Sequence, residues 1–255
     1  MSSTFSRPFL SIVVPAFNEE QRLVASLAEI SSYLDATGID AEILVVDDGS
    51  KDRTAELAAH ALQSRRGRVL KNGDNRGKGY SVRHGVLEAR GRFVLLTDAD
   101  LSTPIADHAK LAAVIRDRDL DVVIGSRALP DSDVQVRQGW VRQTMGRTFN
   151  IIIRGFTGLP YRDTQCGFKL MDRDRVKPLF DKMVVNRFAF DVELLFLCAR
   201  FGLSVAEVPV TWRNATGSKV SVVRDPLNMI VDVLRARWRF RRGLYNPEPG
   251  ASDAP

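Results

Sequence analysis

Between residues 10 and 125 the chain alternates two kinds of segment, and this alternation limits the fold more than any other feature. Short apolar runs at 10–16, 43–47, 93–97 and 121–125, with a briefer one at Val69-Leu70, read as strands. Segments of helical period separate them. Asn18-Glu19-Glu20 opens one whose Leu23, Leu27, Ile30 and Leu34 share a face and which Gly38 ends; others are expected over 52–65, 80–90 and from Ile105 to Asp117. Strand and helix in turn imply an α/β domain, a single mostly parallel sheet flanked by helices. The run Val94-Leu95-Leu96 fits a strand buried on both faces. A chain of 255 residues suffices for one large domain, alone or with an appendage.

The runs end in polar side chains. The first leads into Pro15-Ala16-Phe17-Asn18-Glu19, the second into Asp47-Asp48-Gly49-Ser50, the third into Asp98-Ala99-Asp100, and the last into Gly125-Ser126-Arg127. In an open parallel sheet such ends line the ligand crevice. Alternate residues of an extended chain share a face, so Asp98 and Asp100 are expected to point the same way. Paired oxygen ligands suit a hard cation such as Mg²⁺, which favours a diphosphate as co-ligand; a solvated turn is the plainer alternative. Asn75-Arg76-Gly77-Lys78-Gly79 sets a lysine between glycines just before a helix. Either the backbone there approaches an anionic ligand at a helix N-terminus, or the stretch is a surface turn.

After residue 130 the alternation stops and arginine becomes frequent. Arg137, Arg142, Arg147 and Arg154 are interleaved with Trp140, Met145, Phe149, Ile152 and Phe156, which suits a basic helix at a membrane surface or one packed on its own sheet. Residues 163–169 read as a loop entering a strand. The 191–201 segment is a helix apolar almost all round, hence core, and Val205–Val210 is a final strand whose Pro209 suggests an edge. A loop with two cations, Arg213 and Lys219, follows. The last helix starts near Pro226, with Leu227, Ile230, Val231, Leu234 and Trp238 on one face, Arg235, Arg239 and Arg242 opposite, and Arg237 and Arg241 on the flank. Cations beside Trp238 and Phe240 fit a membrane interface.

A net charge of +6 and a pI near 9.6 admit nucleic acid, anionic lipid or phosphorylated substrates as partners. No nucleic-acid motif accompanies the charge, so no nucleic-acid partner is expected. Cys166 and Cys198 are too few for a disulfide framework or a structural zinc and suggest a reducing, cytosolic compartment. The N-terminus lacks a signal-peptide core, and no run of about 18 apolar residues offers a transmembrane helix. The sequon Asn214-Ala215-Thr216 and the scattered His60, His84 and His108 receive no role. The expected division is a flexible 1–8, a domain over 9–224, a basic amphipathic helix over 225–244 and a disordered tail over 245–255.

Taken in order, the Pro15–Glu19, Asp47–Ser50, Asn75–Gly79 and Asp98–Asp100 motifs resemble glycosyltransferase family 2, with its Rossmann-like GT-A fold, over about residues 9–244. Thr164-Gln165-Cys166-Gly167-Phe168-Lys169, Phe188-Ala189-Phe190-Asp191-Val192-Glu193 and Trp212-Arg213-Asn214 resemble the dolichyl-phosphate β-glucosyltransferase branch and its bacterial polyprenyl-phosphate relatives. The resemblance implies that Pro15, Phe17 and Glu19, flanked by Ala16 and Asn18, hold base and ribose together with Val46 and Asp48. It implies that Asp98 and Asp100 contact ribose and a Mg²⁺ or Mn²⁺ ion, Asp100 most directly, with Ala99 packed between. Arg127 and Lys219, with Arg213 and Lys78, would face the diphosphate or lipid phosphate.

Ser102 stands where mannose synthases usually carry a metal-binding Gln, and Phe17 where they often have Tyr, which favours the glucosyl branch. The N-terminal anchor of the eukaryotic enzymes has no counterpart in the sequence, leaving membrane attachment to the amphipathic segments. The implied activity is inverting transfer from UDP-glucose to a polyprenyl phosphate, peripherally on the cytoplasmic face of a membrane. Alternatives are a GDP-mannose-dependent mannosyltransferase, a sugar-nucleotide nucleotidyltransferase and a non-catalytic membrane-surface module. Asp191 and Glu193 would either orient a sugar hydroxyl or complement a helix dipole.

Overall fold

The computed structural model describes residues 7–135, 150–213 and 224–245. Seven strands form one sheet: β1 (Leu10–Ala16), β2 (Ala41–Asp47), β3 (Gly67–Lys71), β4 (Phe93–Leu96), β5 (Val122–Ser126), β6 (Lys169–Asp172) and β7 (Val205–Pro209), in the order β3-β2-β1-β4-β6-β5-β7. All pairings are parallel except those of β6, which runs antiparallel to β4 and β5. The expected mostly parallel sheet is thus present. β7 is an edge strand, where Pro209 costs no ladder bond.

Alternate residues of the central strands feed two cores, one on each face. Ile12, Val14, Ile43, Val45 and Leu95 pack beneath α1 (Leu23–Thr37), α2 (Thr54–Ala61) and α4 (His108–Asp117). Val13, Leu44, Val46, Val94 and Leu96 pack beneath α3 (Lys78–Glu88), the helical residues 150–157 (α5), α6 (Arg173–Lys182), α7 (Phe190–Arg200) and α8 (Arg224–Arg241). Each fully buried Leu, Ile or Val contributes about 1.5–3 kcal/mol of transfer free energy, and sheet residues on both faces take part. Helix α7 is buried from Phe190 to Cys198, in keeping with its apolar sequence.

Several expectations need correction. β4 ends at Leu96, and Leu101 N donates to Asp98 O at 3.1 Å with Leu101 at φ 44°, so Asp98 and Asp100 lie in a turn and not along an extended strand. Helix α3 begins at Lys78, because Gly77 at φ 102° makes the corner that starts it. Helix α6 was not expected; Asp172 caps it by accepting from Asp174 N and Arg175 N, although Pro178 lies inside.

Arg7 is tied to Asp174 at 2.9 and 3.0 Å, and Tyr245 is fully buried, so neither belongs to a loose terminus. In α8 the inward face is Met229, Val233 and Ala236, whereas Val231, Leu234 and Trp238 of the expected stripe are exposed. Arg137, Trp140, Arg142, Met145, Arg147, Phe149, the sequon and Lys219 lie outside the described residues. Among the described residues no helix is long and apolar enough to cross a membrane.

Candidate active site

β1 stands where the topology reverses: the chain proceeds outward through β2 and β3, then returns to place β4 on the other side of β1. The crevice outside the carboxyl ends of β1, β2 and β4 is therefore a topological switch point, the usual ligand position in such sheets. Because β6 is antiparallel, its amino end, with Lys169 opposite both Leu96 and Ile124, faces the same crevice.

The ends of β1 and β2 are clasped together. Asn18 N donates to Ser50 Oγ at 2.8 Å, Lys51 N donates to Asn18 Oδ1 at 2.8 Å, and Glu19 N donates to Thr54 Oγ1 at 2.7 Å. Glu19 also accepts from Arg22 Nε at 2.8 Å. Pro15 and Phe17 are half-buried at this rim. Ala16 and Ala99 are buried, the latter anchored by Ser26 Oγ donating to Ala99 O at 2.7 Å. Val46 is a correction: it is fully buried and packs in the core beside Gly85, so its side chain does not face the crevice.

Asp48 sits beneath the glycine-flanked loop. Its carboxylate accepts from Asn72 Nδ2 (2.8 Å), Arg76 N (3.0 Å) and Gly77 N (2.8 Å), three of roughly four acceptor positions. Gly49 must be glycine, since at φ 74° a Cβ would meet Asp74 C at 2.6 Å. The glycines around Lys78 admit protein, not ligand: a Cβ on Gly77 would stand 2.4 Å from Asn186 O, and one on Gly79 2.5 Å from Val185 O. The turn is wedged against residues 185–187, and Lys78 projects to Asp98.

Asp98 is the hub. Lys78 Nζ donates to its Oδ1 at 2.5 Å, and Gly167 lies so close that a Cβ there would be 2.4 Å from Oδ2. This contact explains the glycine of the 164–169 motif. Burial pushes the Asp98 carboxyl up, but Lys78, Lys169 and Arg127 overcome it and hold the group below the usual carboxylate range. Burial pulls the Lys78 ammonium down, yet Asp98 and Asp191 raise it.

Asp100 Oδ1 accepts from Ser102 N at 3.0 Å, and its Oδ2 is 3.9 Å from Arg22. Among the described residues no three His, Cys, Asp or Glu side chains converge as a self-contained metal cage. Two carboxylates with part-exposed oxygens, completed by diphosphate and water, nevertheless match what Mg²⁺ or Mn²⁺ accepts.

Two further ion pairs flank the hub. Arg127 grips Asp163 through Nε at 2.6 Å, Nη2 at 2.8 Å and its backbone N at 3.0 Å, while its guanidinium lies 5.8 Å from the Trp212 ring. Asp163 is set in turn by its N–H donating to Glu207 at 2.7 Å. Lys169, wholly buried, contacts Asp191 and Cys166 O. Sequence reasoning missed Asp163, Lys169 and Glu207; only the position of the first two inside or beside a quoted motif offered a signal. Arg213 N donates to Ser102 O at 2.7 Å, which brings the exposed Arg213 beside the Asp100 turn. The Cys166 thiol is pushed up to about 11, by burial and by Asp163, so it stays protonated and is no nucleophile at neutral pH. The chemistry on offer is electrostatic: cations and paired carboxylates arranged around an anionic ligand.

The sequence model described as Glycosyl transferase family 2 matches residues 11–180. The chain is 35% identical over 249 residues to a dolichyl-phosphate beta-glucosyltransferase of Dictyostelium discoideum, covering 93% of this chain and 76% of the relative. It is likewise 35% identical over 252 residues to the Homo sapiens protein of that name, covering 94% and 78%. Among solved structures, glucosyl-3-phosphoglycerate synthase from Mycobacterium tuberculosis in complex with Mn²⁺, UDP-glucose and phosphoglyceric acid superposes with a TM-score of 0.67 at 20% identity, over 90% of this chain and 79% of that one. Mannosyl-3-phosphoglycerate synthase from Rubrobacter xylanophilus gives 0.66 at 22% identity, over 97% and 79%. At that identity the structural likeness speaks for the fold, which is GT-A.

Proposed function

Since the chain belongs to glycosyl transferase family 2, and is thus a glycosyltransferase, we propose that it moves glucose from UDP-glucose to a polyprenyl phosphate, of the dolichyl kind or a bacterial equivalent, with inversion at the anomeric carbon. The observation that carries this reading is the part-exposed Lys78–Asp98 pair at the switch point, with Asp100 in the adjoining turn and Arg213 brought beside it. Such a site serves a reaction whose difficulty is charge.

The acceptor explains why no general base is needed. A phosphate monoester has a second pKa of about 6 and is already mostly dianionic at neutral pH. The protein must stabilise the departing diphosphate and align it with the incoming phosphate oxygen. Phe17, Pro15 and Glu19 at the β1 rim receive the base and ribose, and Asp48 has one acceptor position left for an N–H of the base. Asp98 and Asp100 would hold the divalent ion, Mg²⁺ or Mn²⁺, which when bound would supply positive charge to the diphosphate. Lys78 leaves Asp98 for the diphosphate as the donor enters. Arg127, fixed by Asp163, and Arg213 offer their guanidinium groups to phosphate oxygens.

The acceptor is a lipid, so the protein meets a membrane through its surface. Ile151, Ile152 and Phe156 of α5 and Val231, Leu234 and Trp238 of α8 are exposed, beside Arg154, Arg235 and Arg241. Arg237 donates to Phe156 O and links the two helices. Apolar side chains ringed by arginine fit an anionic bilayer surface, each cation adding about 1 kcal/mol near the headgroups.

The test is incubation with polyprenyl phosphate, a divalent ion and a panel of UDP- and GDP-sugars, with the glycolipid read by mass. Glucosyl lipid from UDP-glucose is expected. Product from GDP-mannose alone would move the protein to the mannosyl branch.

A further inference from the structure

Glu193 is the one acid of the 188–193 motif that does not face the crevice. It is 1% exposed and near the start of α7, and its carboxylate is a three-way clamp. Val184 N donates to Oε1 at 3.0 Å, Val185 N to Oε2 at 2.9 Å, and Tyr245 Oη to Oε1 at 2.6 Å. Tyr245 is fully buried just beyond α8, and its carbonyl accepts from Lys182 Nζ at 2.8 Å. The clamped backbone is the wall on which the Gly77-Lys78-Gly79 turn rests. Tyr80 N donates to Asn186 O at 3.1 Å, Arg83 donates to Met183 O, and both glycines abut Val185 O and Asn186 O more tightly than any Cβ allows. One buried carboxylate therefore ties the end of the C-terminal helix to the strap that aims Lys78 at Asp98.

We infer that Glu193 and Tyr245 are positioning residues for Lys78: they hold residues 184–187 as a rigid backing for the turn that carries it, so that the C-terminal helix and the donor site are mechanically joined. The inference rests on Lys78 meeting the donor diphosphate. A purely structural acid would stabilise the fold equally whether or not Lys78 were present. A positioning acid loses its effect on the donor once Lys78 is gone.

A double-mutant cycle on the full chain separates the two. UDP affinity is measured by calorimetry in Mn²⁺ for wild type, Tyr245→Phe, Lys78→Met and the pair. Lys78→Met is expected to weaken UDP about 10- to 100-fold, the loss of a charge-assisted contact. Tyr245→Phe, which removes one oxygen and keeps the ring, is expected to weaken it about three- to tenfold, and by less than about twofold in the Lys78→Met background. Hydrogen exchange should rise in residues 77–80 and 183–187 and stay unchanged in β1 and β2. Glu193→Gln should repeat the pattern if Tyr245→Phe proves poorly folded.

Additive losses, or unchanged affinity in Tyr245→Phe and Glu193→Gln while Lys78→Met is weak, would overturn the inference and leave Lys78 in the site. Unchanged affinity in Lys78→Met would remove Lys78 from the donor site and the inference with it.

Discussion

Lys78–Asp98 and Lys169–Asp191 are the same two side chains brought together at the same crevice, one pair open and one sealed. In the first, the side chains are 26% and 36% exposed; in the second, 0% and 5%. Burial decides what each can do. The open pair reaches solvent on one side, so its partners exchange more readily than sealed ones: a divalent ion can take the place of the lysine at Asp98, and a diphosphate the place of the carboxylate at Lys78. Withdrawing one partner of the sealed pair strands a charge whose desolvation costs several kcal/mol. On the proposed function the open pair would be the working contact and the sealed pair its frame. Lys169 also contacts Cys166 O, which fixes the turn whose Gly167 abuts Asp98.

The largest expected effect tests the frame. Lys169→Met leaves Asp191 buried and unpaired and should cost about 3–5 kcal/mol. For a chain of this size that lowers Tm by about 6–20 °C, whereas Lys78→Met should stay within a few degrees of wild type. Adding Asp191→Leu to Lys169→Met should restore much of the loss in thermal melts. Equal Tm for the two lysine variants would erase the distinction between the pairs.

The converse holds for turnover. Asp98→Asn should lower kcat about a hundred- to thousandfold and lower Tm by less than Lys169→Met does, because an electrostatic group at the reacting charge is lost while the frame stands. A variant that melted early and turned over normally would reverse the roles assigned to the two pairs.

A sealed but neutral group sharpens the rule through pH. Burial lowers His108 from 6.5 to about 4, with Tyr33 Oη 3.0 Å from its Nδ1. Below pH 6.5 the unfolded chain binds a proton that the folded chain refuses until about pH 4, so folding stability drops as pH falls through that window. The drop amounts to about 3 kcal/mol. His108→Gln should flatten this limb relative to wild type in denaturant titrations run across the window. The open Asp98 is also held low, so its contribution is present above the ordinary carboxylate range and is lost only in stronger acid.

The smallest effect carries the contrast to α8, whose Val233 is sealed and whose Trp238 is 54% exposed. Trp238→Ser should leave Tm unchanged and weaken flotation with anionic vesicles by about five- to tenfold, the worth of roughly 1 kcal/mol or slightly more. Val233→Ser should do the opposite, lowering Tm without a specific loss of vesicle binding. Unchanged flotation in Trp238→Ser would exclude that side chain from the bilayer contact.

What could be read from sequence was local. The apolar runs, the acids at strand ends and the edge proline each speak through their neighbours, and the sheet follows from them. Pairings across the chain were silent: nothing in residues 22 apart announces that Lys169 meets Asp191, nor that Asp163 grips Arg127. The glycines at 77, 79 and 167 signalled close approach without saying to what, and the structure answers with protein backbone and the Asp98 carboxylate. Helix α8 misled because it is apolar on two sides, so spacing alone could not choose between Met229–Val233 and Val231–Trp238 as the inward face. Pro178 hid α6, although Val176, Leu179 and Phe180 keep helical spacing around it.

The claim that donor and cation meet at the Asp98–Asp100 turn, beside the open pair, is tested most directly by UDP calorimetry on wild type and Asp100→Ala, each in Mn²⁺ and in EDTA. Wild type should bind UDP at least about tenfold more tightly with Mn²⁺ than without, a difference of about 1.4 kcal/mol. Asp100→Ala should bind weakly and equally in both. An Asp100→Ala protein that keeps the full Mn²⁺ response would contradict the assignment of the cation to this turn.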